Sequence, residues 1–376
     1  MVPIQMVDLK RQYAHIKNEV DVAIHEVIDN AAFINGKPVE LFSEHLSKYL
    51  GVKHVIPCAN GTDALQIAMM ALDLQPGDEI ITPSFTYIAT TEVIALLRLK
   101  PVFVDVDPDT FCVDPEAIRK AITPRTKAIV PVHLYGQSAD MEAIMKIAAE
   151  HNLYVVEDNA QAIGATITFS DGSVHKTGTM GHIGCTSFFP SKNLGCYGDG
   201  GAICTNDDAL AAKIRMIANH GQSKRYYHDV VGCNSRLDTI QAAVLDIKLK
   251  KLDEYNEARG KAAAFYTSTF ANHPKIKTPD IATGNTHVFH QYTLQLHGVD
   301  RNALVDYLAT QGIPAMIYYP VPAHKQKMFS FLHLPEVDLP ITDQLTEKVV
   351  SLPIHTELDQ EQLDHIVYHV LQFVNH

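Results

Sequence analysis

The residue of this chain with the most chemical promise is a lysine set in a glycine-rich turn. The stretch Thr186-Ser-Phe-Phe-Pro-Ser-Lys192-Asn-Leu-Gly-Cys-Tyr-Gly-Asp-Gly-Gly-Ala202 reads as an aromatic strand over 186–189 that stops at Pro190. It delivers Lys192 into a run holding Gly195, Gly198, Gly200 and Gly201, before an apolar strand resumes at Ala202. Such a turn permits positive φ and close approach of the backbone to another group. A lysine held near apolar walls can lose its proton and attack a carbonyl. The plain alternative is a strand–turn–strand link whose lysine points into water, as most lysines do.

Two further constellations precede it. In Leu153-Tyr-Val-Val-Glu157-Asp-Asn-Ala-Gln161 an acid leaves a buried strand, which is costly unless the carboxylate meets a donor or a cation. Strand geometry sends Glu157 and Asp158 to opposite faces, so one of them faces a ligand crevice. A capping role for Asp158 over 160–164 is the bland reading. Earlier, Asn60-Gly-Thr-Asp-Ala-Leu65 opens a helix. Gly61 eases the turn, Thr62 or Asp63 caps it, and the free amides of its first turn make an anion site. In Ser84-Phe-Thr-Tyr87 two aromatics at a strand end either cover a planar ligand or fill core.

The elements that must position these groups follow from periodicity. Residues 8–30 and 39–50 read as amphipathic helices. From residue 54 short apolar strands (54–58, 79–83, 101–105, 128–132, 153–157) alternate with helices, which implies a mostly parallel sheet covered on both faces. Ligands in such sheets bind beyond the carboxyl ends of the strands. After a helix at 206–219 comes the basic-aromatic patch Ser223-Lys-Arg-Tyr-Tyr-His228, then Asn234-Ser-Arg236 and a long helix expected to continue to Phe270. From about 285 the pattern changes. A half-exposed strand around Tyr292, Leu294 and Leu296, a helix at 301–310, a strand at 313–318 and helices at 341–350 and 359–374 suggest a small α+β domain. His365 and His369 are spaced i, i+4 without a third ligand in register, so they read as surface histidines and no metal is expected.

Composition bounds the function. The 376 residues, 46% hydrophobic, suffice for two domains. A net charge of −12 argues against nucleic acid as partner. No apolar run approaches the roughly 18 residues of a membrane span, and Met1-Val-Pro-Ile-Gln lacks the features of a signal peptide. The six cysteines form no CxxC pair, in keeping with reduced thiols and a cytoplasmic location.

Strand-end acid, later lysine, helix N-terminus and aromatic lid together suit pyridoxal 5′-phosphate, whose aldehyde, ring nitrogen and phosphate need those partners. Here the chain resembles the fold-type-I sugar-nucleotide aminotransferases of the DegT/StrS group. The resemblance rests on 60–65, 83–87, 157–161, 186–201 and Asn234-Ser-Arg-Leu-Asp238, and covers nearly the whole chain. It implies an α/β, aspartate-aminotransferase-like fold, with a large cofactor-binding domain (1–255) and a small C-terminal α+β domain (256–376). It implies Lys192 as the cofactor-bound lysine, Asp158 on the pyridinium N1–H, Gln161 on the ring 3-oxygen and Tyr87 over the ring. Gly61, Thr62 and Asp63 would serve the phosphate through the helix start, with the Ser187 hydroxyl. Asn234 would reach the phosphate of a partner subunit, giving a homodimer with shared sites.

Within that group the stretches 188–199 and 220–228 look closest to enzymes that aminate UDP-2-acetamido-2-deoxy-3-oxo-glucuronate with glutamate as donor, for cell-surface polysaccharides such as lipopolysaccharide. Arg236 would then pair with the sugar carboxylate as a planar fork. Tyr318 stands where many relatives carry histidine, and is a candidate substrate contact. Ping-pong kinetics follow from such chemistry. The alternatives are C4 amination of a 4-keto-6-deoxy sugar nucleotide and a non-catalytic regulator on the same scaffold. A sugar 3-dehydratase, in which histidine replaces the lysine, is disfavoured by Lys192.

Overall fold

The computed structural model describes residues 3–375. After helices α1 (Leu9–Asp29) and α2 (Lys37–Leu50), strands β1 (His54–Cys58), β2 (Glu79–Pro83), β3 (Lys100–Val104), β4 (Thr126–Ile129) and β5 (Tyr154–Asp158) alternate with helices. Those helices are α3 (Gly61–Ala71), α4 (Ala89–Leu96), α5 (Pro115–Ala121) and α6 (Met141–His151). A small hairpin, β6 (Thr166–Thr168) with β7 (Val174–Lys176), leads to β8 (Ile183–Ser187) and β9 (Gly201–Thr205), which flank the lysine turn.

The main sheet has the order β1-β9-β8-β5-β4-β2-β3. All its pairings are parallel except the two made by β9, so β9 alone runs against the rest. This reversal matters for the site. It returns the chain through 188–200 at the edge where β5 ends in Asp158, β1 gives way to α3, and β2 ends in Pro83. Neighbouring strand residues diverge to opposite faces, as the two-residue period requires. Ile80, Val130, Val156 and Ile183 pack with Ile67, Met69 and Ile94 on one face, while Ile81, Ile129 and Val155 pack with Ile118, Ile144 and Ile147 on the other. A sheet buried on both faces explains why its strands read as continuous apolar runs.

Beyond β9 come α7 (Asp208–Ala218) and an exposed hairpin, β10 (Gln222–Lys224) with β11 (Tyr227–His228). The long helix expected to Phe270 is instead two, α8 (Thr239–Leu249) and α9 (Leu252–Phe270), broken at Lys250 and Lys251. Helix α9 spans two cores: its Leu252 packs with α2 and α8, while its Tyr266 and Phe270 join a second core. That core surrounds a three-stranded antiparallel sheet of β12 (Ile276–Lys277), β13 (Tyr292–Leu296) and β14 (Val349–Leu352), with α10 (Arg301–Thr310) and α12 (Gln360–Asn375), while α11 (Pro340–Lys348) sends Leu345 into a separate cluster with Phe85, Phe111 and Tyr135.

Two expectations for this region fail. β13 is buried throughout rather than half exposed; its polar residues are satisfied internally, Thr293 Oγ1 by Ser351 Oγ at 2.8 Å and Gln295 Nε2 by Pro108 O at 2.7 Å. The segment 313–318 is no strand and makes only a single bridge, Met316 to Ser351. The helix expected over 341–350 ends at Lys348, and Val349 and Val350 instead begin the strand Val349–Leu352 that pairs with β13. Among the described residues no helix is long and apolar enough to cross a membrane.

Candidate active site

Lys192 sits in a turn that is tied at its base. Its amide donates to Phe189 O at 2.8 Å, and Cys196 N donates to Phe188 O at 2.8 Å. Gly195 is obligatory here, because a Cβ would lie 2.3 Å from Pro190 O. The Lys192 side chain is partly buried, and loss of hydration pushes its amine down to about 8, although Asp158 pulls it upward. The two groups expected to cooperate therefore feel each other, and the amine is deprotonated far more readily than an ordinary lysine.

Asp158 is 5% exposed. Its Oδ2 accepts from Thr90 Oγ1 at 2.7 Å and its Oδ1 from Ala160 N at 3.1 Å. The second bond is the local capping contact of the bland reading, and each oxygen keeps a further lone pair for another donor. Glu157 lies on the opposite face, fully buried. It accepts from His133 Nε2 at 2.8 Å and from the amides of Gly178 (2.7 Å) and Met180 (2.6 Å). Glu157 thus locks the strand end, and Asp158 is the acid that faces the lysine.

Gln161 is held at both ends of its amide. Oε1 accepts from Tyr135 N at 2.7 Å, and Nε2 donates to the Tyr319 hydroxyl at 3.0 Å. Tyr87 is 56% exposed, with its ring 6.1 Å from that of Tyr319. An exposed aromatic at this strand end fits a lid better than core filling.

At the start of α3 the cap is neither Thr62 nor Asp63 but Asn60, whose Oδ1 accepts from Asp63 N at 2.8 Å. The extended backbone of Asn60 suits an N-cap. The amides of Gly61 and Thr62, the first two of the helix, have no intrahelical acceptor. Ser187 closes on this point: a Cβ on Gly61 would lie 2.6 Å from Ser187 Cβ. Gly61, Thr62, Asp63 and Ser187 are accordingly brought to one place.

Asn234 and Arg236 approach from outside. Between them Ser235 is buried, and its Oγ accepts from Ala59 N at 3.0 Å, pinning the segment beside the start of α3. Asn234 itself is exposed, and among the described residues Arg236 has no hydrogen-bond or ion-pair partner. Tyr318 shares a cavity of about 630 Å³ with Ser191, Gln291 and residues of the N-terminal segment such as Gln5. His365 and His369 are engaged with Gln311 O at 3.1 Å and the Tyr307 hydroxyl at 2.9 Å. Among the described residues no group of three metal-ligating side chains occurs.

Sequence reasoning missed Thr90, Tyr319 and the Asn60 cap. Asn60 carried a signal, as a cap-forming residue three before Asp63. Thr90 and Tyr319 reach the site only through the fold.

Residues 14–371 match the model of the DegT/DnrJ/EryC1/StrS aminotransferase family. The chain is 47% identical over 356 residues to the UDP-2-acetamido-2-deoxy-3-oxo-D-glucuronate aminotransferase of Pseudomonas aeruginosa, covering 95% of this chain and 96% of that one. It is 46% identical over 375 residues, 99% of each chain, to a pleiotropic regulatory protein of Geobacillus stearothermophilus. The crystal structure of NtdA from Bacillus subtilis with bound cofactor PMP superposes with a TM-score of 0.89 at 31% identity, over 99% of this chain and 83% of that one.

Proposed function

We propose, from the premise that the chain belongs to the DegT/DnrJ/EryC1/StrS aminotransferase family, that this transaminase moves an amino group from glutamate to the 3-keto group of UDP-2-acetamido-2-deoxy-3-oxo-glucuronate. The observation that carries the reading is the Lys192 amine, lowered to about 8 by burial and facing Asp158. The family's cofactor is pyridoxal 5′-phosphate, and the residues present fit it. Two unpaired helix amides, a Gly61 that leaves no room for a Cβ against Ser187, a buried carboxylate and a readily deprotonated amine supply what its phosphate, ring nitrogen and aldehyde need.

When bound, the cofactor supplies an electrophilic aldehyde and an electron-accepting ring that stores the amino group between the two substrates. The remaining work falls to the chain. The Gly61, Thr62 and Asp63 turn and Ser187 Oγ hold the phosphate. Asp158 keeps a proton on the ring nitrogen, while Thr90 and Ala160 fix the carboxylate. Gln161, oriented by Tyr135 and Tyr319, meets the ring 3-oxygen. Tyr87 covers the exposed ring face. Lys192, free as an amine, would take the proton from the donor's α-carbon and pass it on to the cofactor within the same half of the cycle, and would run that transfer in reverse for the second substrate.

Arg236, which has no partner among the described residues, pairs with the sugar carboxylate, and Tyr318 lines the substrate side. Residues 1–255 carry the cofactor and 256–376 cover it. The enzyme works as a cytoplasmic homodimer, each Asn234 serving its partner's phosphate, in the synthesis of cell-surface polysaccharide. The regulatory name of the Geobacillus relative offers a second reading, in which Lys192 is dispensable; a desolvated amine that feels the charge of Asp158 favours catalysis instead.

The test is to incubate purified protein and glutamate with a panel of 3-keto and 4-keto sugar nucleotides and follow 2-oxoglutarate. Release with the 3-oxo uronate is expected. Turnover confined to a 4-keto-6-deoxy sugar nucleotide would overturn the substrate, and no turnover of any, with Lys192→Ala indistinguishable from wild type, would overturn the enzyme.

A further inference from the structure

Helix α8 grips the lysine turn at three atoms. Lys248 Nζ donates to Gly195 O at 2.5 Å, Gln241 Oε1 accepts from Tyr197 N at 2.8 Å, and Gln241 Nε2 reaches Tyr197 O at 3.4 Å. Lys248 is 1% exposed, and its ammonium lies 5.5 Å from the centre of the Tyr197 ring. Burial pushes its amine down to about 8, with Cys196 pulling it up and Arg259 pressing it down. A methionine of similar length would fill the same space without that desolvation cost, so packing alone does not explain a lysine. What it gains is the Gly195 carbonyl. That peptide is jammed against Pro190, since a Cβ on Gly195 would lie 2.3 Å from Pro190 O, and Pro190 is two residues from Lys192. A shift of Gly195 has no slack in which to dissipate and passes to the lysine.

We propose that Lys248, with Gln241, is a positioning residue for Lys192: α8 holds the glycine turn at Gly195 and Tyr197 and so sets the height of the reactive amine over the crevice. This rests on the reading of Lys192 as the reactive amine. It accounts for a polar clamp on a stretch of α8 that is otherwise apolar and buried at Val244, Leu245 and Leu249. Releasing the clamp lets the turn relax outward and rehydrates Lys192. Burial and Asp158 are what shift the Lys192 amine, so a change in its affinity for protons reads the turn's position rather than the lost charge of Lys248.

The experiment uses the apoenzyme first. Competitive acetylation of Lys192 by trace acetic anhydride between pH 6 and 11, read by peptide mass spectrometry, gives its pKa in wild type, K248M, K248Q and Q241L, each checked for folding by circular dichroism. An upward shift of about one unit or more toward the ordinary lysine value is expected in K248M and Q241L, with K248Q, which keeps a donor, closer to wild type. In the cofactor-loaded enzyme the same variants should lose roughly tenfold or more in kcat, with the KM for glutamate moving less than about twofold. Should K248M fail to fold, Q241L leaves the buried amine in place and reads the same shift. An unchanged Lys192 pKa in folded K248M or Q241L overturns the proposal, as does a loss confined to melting temperature. If wild type binds no pyridoxal 5′-phosphate but the labelling shift occurs, the functional reading falls and the clamp stands.

Discussion

Thr90 Oγ1 lies 2.7 Å from Asp158 Oδ2, and among the described residues it is the only side chain that donates to that buried carboxylate. Its other neighbours, Tyr87 O and Thr86 Oγ1, are farther away at 3.3 Å. Thr90→Val keeps the shape and deletes the donor. The cost of leaving a charged acceptor short of one bond is about 1–3 kcal/mol. We expect the cofactor to dissociate faster and kcat/KM for glutamate to fall roughly tenfold, with Thr90→Ser near wild type. Equal activity of the valine and serine variants would show that Ala160 alone orients Asp158.

Gly61 tests the phosphate cradle. At an exposed first helical position, alanine is normally as good as glycine or better. Here its methyl would meet Ser187 Cβ at 2.6 Å, so α3 and β8 must part. Gly61→Ala should weaken cofactor affinity by roughly tenfold or more, measured by titration of the apoenzyme followed in the visible range. A mild loss of thermal stability should accompany it. Unchanged affinity would place the phosphate elsewhere.

How much of this was legible in the sequence depends on range. Lys192 and Asp158 announce themselves because glycines and a strand-end acid are local signals whose physical cost is visible without a fold. Thr90 is one threonine among several near the start of α4, and nothing local tells that it faces β5. Tyr319 comes from a segment read in part as a strand. Its hydroxyl finds Gln161 only because the chain folds back across 158 residues. Val349 and Val350 read as the end of a helix over 341–350 because the apolar spacing of α11 runs on into them; pairing with β13 decides the matter. The break between α8 and α9 carries no glycine or proline, and Lys250 keeps near-helical angles (φ −66°, ψ −17°). Only the packing of Leu252 against α2 and α8 reveals it.

The Lys192 amine sets a pH dependence whose sign is fixed. Its pKa is about 8 in the folded chain against 10.5 for an ordinary lysine. At pH 7 roughly a tenth is neutral, and at pH 9 roughly nine-tenths. The rate at which apoenzyme captures pyridoxal 5′-phosphate should therefore rise about tenfold between those values, and a flat profile would contradict the depressed amine. Stability follows the same group. Between about 8 and 10.5 the unfolded chain binds more protons than the folded one, so the penalty of burying the amine is complete below 8 and relieved as pH rises. Lys192→Met should be more stable than wild type at pH 7 by as much as about 3 kcal/mol, the gap closing toward pH 10.5, as denaturant titrations would show.

Asn234 is exposed in the isolated chain although its neighbour Ser235 is pinned to Ala59 at the edge of the site. An exposed asparagine at such a place is expected to serve a second subunit. Mixing two inactive variants, Lys192→Ala and Asn234→Ala, decides between subunits. In a heterodimer one site then combines both defects and the other combines an intact lysine with an intact partner asparagine. Random reassociation of equal amounts makes half the dimers mixed, each with one working site, so about a quarter of wild-type activity should return. If Asn234 served its own subunit, every site in every dimer would carry a defect. Refolding the two variants together and apart, and comparing their rates with glutamate, would then give no recovery at all.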